Sequence, residues 1–199
     1  GSGGAMGQDG ANLARHFDVV VVETNHRLNI FGFLYLGAIA GEEYATSGNN
    51  GILDIVEGLK WVKTNIAQFG GDPDNVMICG ESGGGYKTSI LYGMPAAAPY
   101  FNKASIESGP GLRVNSLETA AMVAELTLKE LGIAKHDWRK LFEVPAEQLF
   151  TLQGQMNNFL QGKALKKGER FGFAPVVDQV SILAHPFVPA APALSKEKP

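Results

Sequence analysis

The 199-residue chain has one cysteine, Cys79, which excludes an intrachain disulfide and leaves the redox compartment open. It has no long apolar run. The densest stretches, Val19 to Val22 and Ile30 to Leu36, are strand-sized and far short of the roughly 18 residues a membrane span needs. It has no excess of positive charge: 17 Lys and Arg stand against 20 Asp and Glu, for a net −3, so no nucleic-acid partner is expected. Four scattered histidines and the single cysteine lack metal-ligand spacing, so neither a metal site nor a cofactor is expected. No charged-then-apolar leader pattern opens the chain. With 45% hydrophobic and 19% charged residues, the composition is that of a globular protein able to build a core.

Within that composition the elements alternate. Phe17 to Glu23 is β-branched and apolar and predicts a strand covered on both faces. Ile30 to Leu36 predicts a second strand or a packed loop, and residues 41–50 a polar surface loop. Apolar residues at spacings of three and four predict a helix over Gly51 to Phe69, stopped by Gly70 and Gly71. A turn follows at Asp72 to Asn75 and a short strand at Val76 to Cys79. Then come a glycine-rich bend, a helix from Gly84 to Leu91 and a strand at Lys103 to Glu107. This order predicts an α/β fold with a mostly parallel sheet flanked by helices.

Beyond residue 115 the pattern is helical. Leu117 to Leu131 predicts an amphipathic helix with Ser116 as N-cap and Glu118 in its first turn. Shorter helices are expected near 136–143 and 145–153, then a loop or surface helix over 154–170. Phe171 to Val177 predicts a strand or extended segment. The tail from Pro186 holds four of the ten prolines and is expected to be irregular. The division reads as a single domain over 1–199: a sheet core at 1–110, a mainly helical segment at 111–170 and an extended tail at 171–199.

The chemistry lies in Gly80-Glu81-Ser82-Gly83-Gly84, which matches G-x-S-x-G. Five loosely specified residues are a weak signal, but here they follow an apolar strand and precede a helix, the setting of a nucleophile elbow. Such a turn strains the nucleophile's backbone and needs small neighbours. The helix start behind Ser82 favours developing negative charge, and the Gly83 N–H is one candidate oxyanion donor. A phosphate-binding loop is the rival reading, because Gly80 to Thr88 reads G-E-S-G-G-G-Y-K-T. Tyr86, however, separates the last glycine from Lys87, and one added residue turns the lysine away by roughly 100° of helix.

These residues resemble the type B carboxylesterase and cholinesterase-like family of the α/β-hydrolase superfamily. The likeness rests on Val19 to Val22, Asn25-His26-Arg27-Leu28-Asn29, Phe31-Gly32-Phe33-Leu34, and Gly48-Asn49-Asn50-Gly51-Ile52-Leu53-Asp54. It continues through Trp61-Val62, Asn65-Ile66, Phe69 to Pro73, Gly80 to Gly84, Ile106-Glu107-Ser108-Gly109 and Phe173 to Asp178. The resemblance implies hydrolysis of small-molecule carboxylic esters through an acyl-serine intermediate. It implies Ser82 as nucleophile, Gly83 as oxyanion donor, Glu81 as a buried acid beside the nucleophile and Ser108 as a hydroxyl near the triad. Arg27 and Asp54 would form a structural ion pair.

The departures are equally specific. Gly83 stands where the family usually has Ala, which predicts a looser elbow. The family's HGGG-type segment, its triad acid and its triad histidine find no counterpart. The expectation is therefore a central fragment, with Gly1-Ser2-Gly3-Gly4 native rather than a linker, weakly active or inactive alone, whose open sheet edges favour self-association. The alternative is a non-catalytic binding or adhesion relative, against which the retained Ser82 argues. Asp178 and His185 form one candidate internal pair, but the expected reading is a turn residue and a surface or packing histidine. His16, His26 and His136 are expected to flank strands or face solvent. Lys163, Lys166, Lys167 and Arg170 read as a solvated basic loop, and Cys79 as a buried, inert thiol. Tyr86 is expected to pack under the elbow. Phe31, Phe33 and Tyr92 are candidates for a pocket lining or for the core.

Overall fold

A computed structural model describes residue 4, residues 9–160, residue 169 and residues 172–199, with side chains described up to residue 156 in the last helix before the gap. The elements in chain order are α1 (Ala11–Phe17), α2 (Asn29–Phe33), α3 (Gly37–Ala40) and α4 (Asn50–Asn65), then β1 (Met77–Glu81), α5 (Gly83–Tyr92) and β2 (Lys103–Glu107), and finally α6 (Leu117–Glu130) and α7 (Ala146–Leu160). Short 3-10 turns join several of them, the longest at Lys135–Glu143.

The helix α4 forms because Ile52, Val56, Leu59 and Val62 recur on one face and are all buried. It tightens into a 3-10 turn at Ile66–Phe69 and stops at Gly70, whose φ of 83° is a conformation that favours glycine. The strands β1 and β2 pair in parallel, from Met77 opposite Lys103 to Glu81 opposite Glu107, with α5 as the crossover between them. α6 begins at Ser116, whose hydroxyl accepts the Thr119 N–H at 3.3 Å. Glu169 adds a second cap there, accepting the Ser116 N–H at 2.9 Å.

The main core joins α4, β1 and α5 through Ile52, Val56, Ile78, Ile90, Leu91 and Phe101. Side chains of this kind each contribute roughly 1.5–3 kcal/mol when fully buried. A second cluster, with Ile30, Leu34, Val123, Leu152 and Met156, seats α6 and α7 against α2, and Phe173 touches both clusters.

Four expectations are corrected. Phe17 to Glu23 is not a strand. α1 ends at Phe17, Asp18 turns into the left-handed region, and Val19 to Val22 belong to no ladder and are 38–47% exposed. No strand pairs with them among the described residues, and strand propensity without a partner backbone does not make a strand. Ile30 to Leu36 is helical as far as Phe33 and packed loop afterwards, because Ile30 and Phe33 insert into the core from one helical face. Cys79 is exposed rather than buried: β1 turns Ile78 inward and leaves Met77 and Cys79 on an uncovered face. The last helix is longer than expected, reaching Leu160. Lys163, Lys166, Lys167 and Arg170, like Gly1-Ser2-Gly3 and Phe171, lie outside the described residues. The rest of the extended prediction survives as a single bridge between Val176 and Asn115.

Candidate active site

Ser82 follows the last residue of β1 and precedes the first residue of α5. Its backbone lies at φ 52° and ψ −112°, a strained conformation for a residue with a side chain. Two hydrogen bonds hold it there: its N–H donates to the Glu107 carbonyl at 2.9 Å, and its carbonyl accepts the Tyr86 N–H at 3.0 Å. The first ties the bend to the neighbouring strand, the second to the helix. Ser82 is exposed, and no hydrogen bond engages its hydroxyl among the described residues.

Small residues make the bend possible, and not all for the same reason. A Cβ on Gly80 would stand 2.3 Å from the Gly84 carbonyl carbon, and one on Gly85 would stand 2.5 Å from the Glu107 carbonyl oxygen. A Cβ on Gly109 would stand 2.3 Å from the Ser82 carbonyl oxygen. These glycines let strand, helix and neighbouring strand touch backbone to backbone. Gly83 differs, because a Cβ there would meet nothing within 4 Å. An alanine therefore fits at position 83, and the elbow's tightness does not rest on that glycine. The Gly83 N–H belongs to the first turn of α5, where amides have no intrahelical partner.

The ends of β1 and β2 stand level, since Glu81 pairs with Glu107. Ser82 and Ser108 therefore leave adjacent strands at the same edge, and Ser108 also has a positive φ, 54°. Glu81, expected to be buried, is exposed, because the outward face of β1 is uncovered. Tyr86 packs beneath the elbow, nearly fully buried, and its hydroxyl donates to the Arg113 carbonyl at 3.1 Å. Phe33 and Tyr92 are core residues, Tyr92 stacking on Phe187 with ring centres 6.0 Å apart. Phe31 is exposed on a shallow groove with Ala146, Glu147, Phe150 and Thr151.

No histidine hydrogen-bonds Ser82 among the described residues. His16 and His136 are exposed, and His136 sits 3.9 Å from Asp137. His26 is half-buried with Nδ1 2.9 Å from the Arg27 carbonyl, and burial first, then the Lys87 charge, holds it below the usual histidine range. His185 accepts the Val114 N–H at Nδ1 over 3.4 Å and is pushed down by burial and by Arg113. Asp178 does not pair with His185; it is a buried turn residue bonded to Asn49, Ser181 and backbone amides. The expected Arg27–Asp54 pair is present and two-pronged, with Nη2 2.7 Å from Oδ1 and Nε 2.9 Å from Oδ2. The Arg27 guanidinium holds the Asp54 carboxyl below the usual range.

The surface loop expected over residues 41–50 turns inward at its end, where a 3-10 turn at Ser47–Asn49 buries Gly48 and Asn49. Asn49 is a fully buried hub, bonded to Val176, Asp178 and Ser181, and its placement before an apolar helix is the signal the sequence offers.

Known proteins resemble this chain in sequence and fold. The Carboxylesterase family model matches residues 1–198. The para-nitrobenzyl esterase of Bacillus subtilis (strain 168) is 44% identical over 156 residues, covering 78% of this chain and 31% of that protein. Liver carboxylesterase 1F of Rattus norvegicus is 36% identical over 190 residues, covering 92% of this chain and 33% of that one. Among solved structures, a carboxylesterase of Geobacillus stearothermophilus superposes with a TM-score of 0.82 at 44% identity, covering 94% of this chain and 38% of that chain. An esterase of Clostridium hathewayi, described as able to hydrolyse aliphatic aromatic polyesters, gives 0.81 at 37% identity, covering 96% and 38%. The fold is that of these α/β-hydrolase esterases, in part: the chain spans about a third of the length of the relatives it matches.

Proposed function

We propose that this chain, which belongs to the carboxylesterase family, carries the nucleophile portion of a serine esterase that cleaves small-molecule carboxylic esters through an acyl-Ser82 intermediate. The observation that carries the reading is the Ser82 backbone, held at positive φ between a strand end and a helix start with its hydroxyl exposed. In this reading Ser82 attacks the ester carbonyl, and the alcohol leaves as the acyl-serine forms. The Gly83 N–H donates to the oxyanion, with the start of α5 adding a favourable field. Glu81 and Ser108, at the same sheet edge, shape the electrostatics around the nucleophile.

A base must take the Ser82 proton, and none of the described histidines reaches that hydroxyl. The triad acid, the triad histidine and the remaining oxyanion donors are therefore read as lying outside the described residues. The chain forms a single domain, with its sheet core, helical segment and tail as parts of one larger body. Loss of a triad member elsewhere leaves about 10³–10⁴-fold over water when the oxyanion hole survives, so this chain alone should turn over esters slowly or not at all. The uncovered face of β1 and the exposed Val19 to Val22 also support self-association of the lone chain.

Mass spectrometry after incubation with a fluorophosphonate and with p-nitrophenyl acetate tests both parts. Even without the base, Ser82 should be modified ahead of the other serines, because its exposed hydroxyl sits beside the Gly83 N–H and the start of α5, and Ser82→Ala should remove that adduct. Modification spread evenly over the serines would defeat the nucleophile assignment. Ordinary esterase turnover abolished by Ser82→Ala would instead overturn the missing-base reading, because a base would then lie within the chain.

A further inference from the structure

Asn49 and Asp178 are far apart in the chain, yet they meet in the interior, where Asn49 is fully buried and Asp178 is 7% exposed. The Asn49 Nδ2 group donates to the Val176 carbonyl at 2.8 Å, to Asp178 Oδ2 at 2.9 Å and to Ser181 Oγ at 3.1 Å. Its Oδ1 accepts the Val176 N–H at 2.9 Å. Asp178 Oδ1 accepts the N–H groups of Val180, Ser181 and Ile182 at 3.0, 2.8 and 2.9 Å. Asp178 Oδ2 also takes the Ser181 hydroxyl at 2.5 Å.

Five donors thus converge on one carboxylate, and all five are neutral. No ion pair involves Asp178 among the described residues. The titratable group facing it is Tyr35, whose phenol is pushed up by burial and further by the Asp178 charge. Across the segment, the Asn115 N–H donates to the Pro175 carbonyl and the Val177 N–H to the Asn115 carbonyl, both at 2.9 Å. Residues 175–182 are therefore suspended between the heads of α4 and α6 by polar bonds, with Val176 and Ile182 as apolar anchors.

We propose that Asn49, Asp178 and Ser181 form an acid-released latch: the ionised Asp178 carboxylate fastens residues 175–182 to the head of α4, and protonating it frees that segment. The physical reason is the makeup of the shell. An ionised carboxylate only accepts, and a shell of donors suits it. A protonated carboxyl carries an O–H that must point at another donor. Ser181 alone could turn to accept, but its own O–H would then lose the Asp178 oxygen it now donates to. Leaving such groups mispaired in the interior is costly.

The direction of titration agrees. Burial alone would push the carboxyl up, but the bonds from Ser181, Ile182, Val180 and Asn49 together outweigh it and hold it below the usual range. A depressed carboxyl contributes stability that is complete above the unfolded value of about 3.9 and is lost as pH falls through the lower folded value. Release therefore belongs below about pH 4.

Amide hydrogen exchange on the full chain from pH 7 to pH 3, corrected for intrinsic rates, tests this. The Val180, Ser181 and Ile182 amides are the readout, and the Tyr86 amide in the elbow is the reference. Their protection should fall relative to Tyr86 as pH drops below about 4, by up to roughly 9-fold at pH 3. In Asp178→Asn, the same amides should be about 10–100-fold less protected at pH 7, with no further selective acid step. Wild-type protection unchanged relative to Tyr86 at pH 3 would overturn the latch, as would an acid step that persists in Asp178→Asn. Should Asp178→Asn not fold, Ser181→Ala keeps the carboxylate and removes one donor. Its release should move to higher pH, and an unmoved midpoint would also overturn the proposal.

Discussion

Two stretches of this chain look alike as sequence and differ in the folded molecule. Val19 to Val22 carries four consecutive β-branched residues and forms no strand, whereas Met77 to Glu81, with less β propensity and a glycine, forms one. The second has β2 in register beside it and α5 packed upon it. The first has no backbone partner among the described residues and leaves its valines exposed. The ladder and the covering helix make the strand, and side-chain preference only makes a chain willing. The elbow also carries its own constraints, because Gly80, Gly85 and Gly109 bring three backbones into contact around Ser82.

The comparison can be broken most severely at the elbow. Gly80→Val would drive a side chain into the Gly84 backbone and should destabilise the chain by roughly 3 kcal/mol or more, read as a lower urea midpoint. A shift of only a few tenths would mean that β1 and α5 do not touch as described. A smaller effect is expected outside the elbow, where Arg27 meets Asp54. Asp54→Asn should cost about 1 kcal/mol, since the pair is partly exposed to solvent. Because the Asp54 carboxyl is depressed, its contribution is present above about pH 4 and fades as pH falls further. A wild-type minus Asp54→Asn stability difference that grows on acidification would contradict the pairing.

Gly83→Ala sharpens the contrast from the other side. With open space at that Cβ and helical backbone, alanine should stabilise by about 0.4–1 kcal/mol, visible in thermal unfolding. Val20→Lys should change unfolding stability least, within about 0.5 kcal/mol, while reducing self-association in sedimentation. A large destabilisation would show that these valines are packed.

Much of the site was legible because it is encoded locally. G-x-S-x-G between an apolar strand and a helix is a requirement of one tight bend, and Ser82, Gly83 and the β2 span at Lys103 to Glu107 lie where the pattern put them. The helices were legible from periodicity, as in α4 and α6. The exposure of Glu81 and Cys79 was not, since it depends on what covers one face of β1. The role of Asn49 was equally hidden, because its partners stand more than a hundred residues away.

Sequence alone determined the bend at Ser82 and the helices with a clear apolar face, because each depends on neighbours within a few turns of chain, and its single cysteine excludes an intrachain disulfide. Only the tertiary structure decided which β-branched run became a strand, which face of β1 met solvent, and that a lone buried carboxylate would be held by neutral donors. Those outcomes depend on pairing and packing between segments distant in sequence, and no local pattern records which distant backbone will arrive.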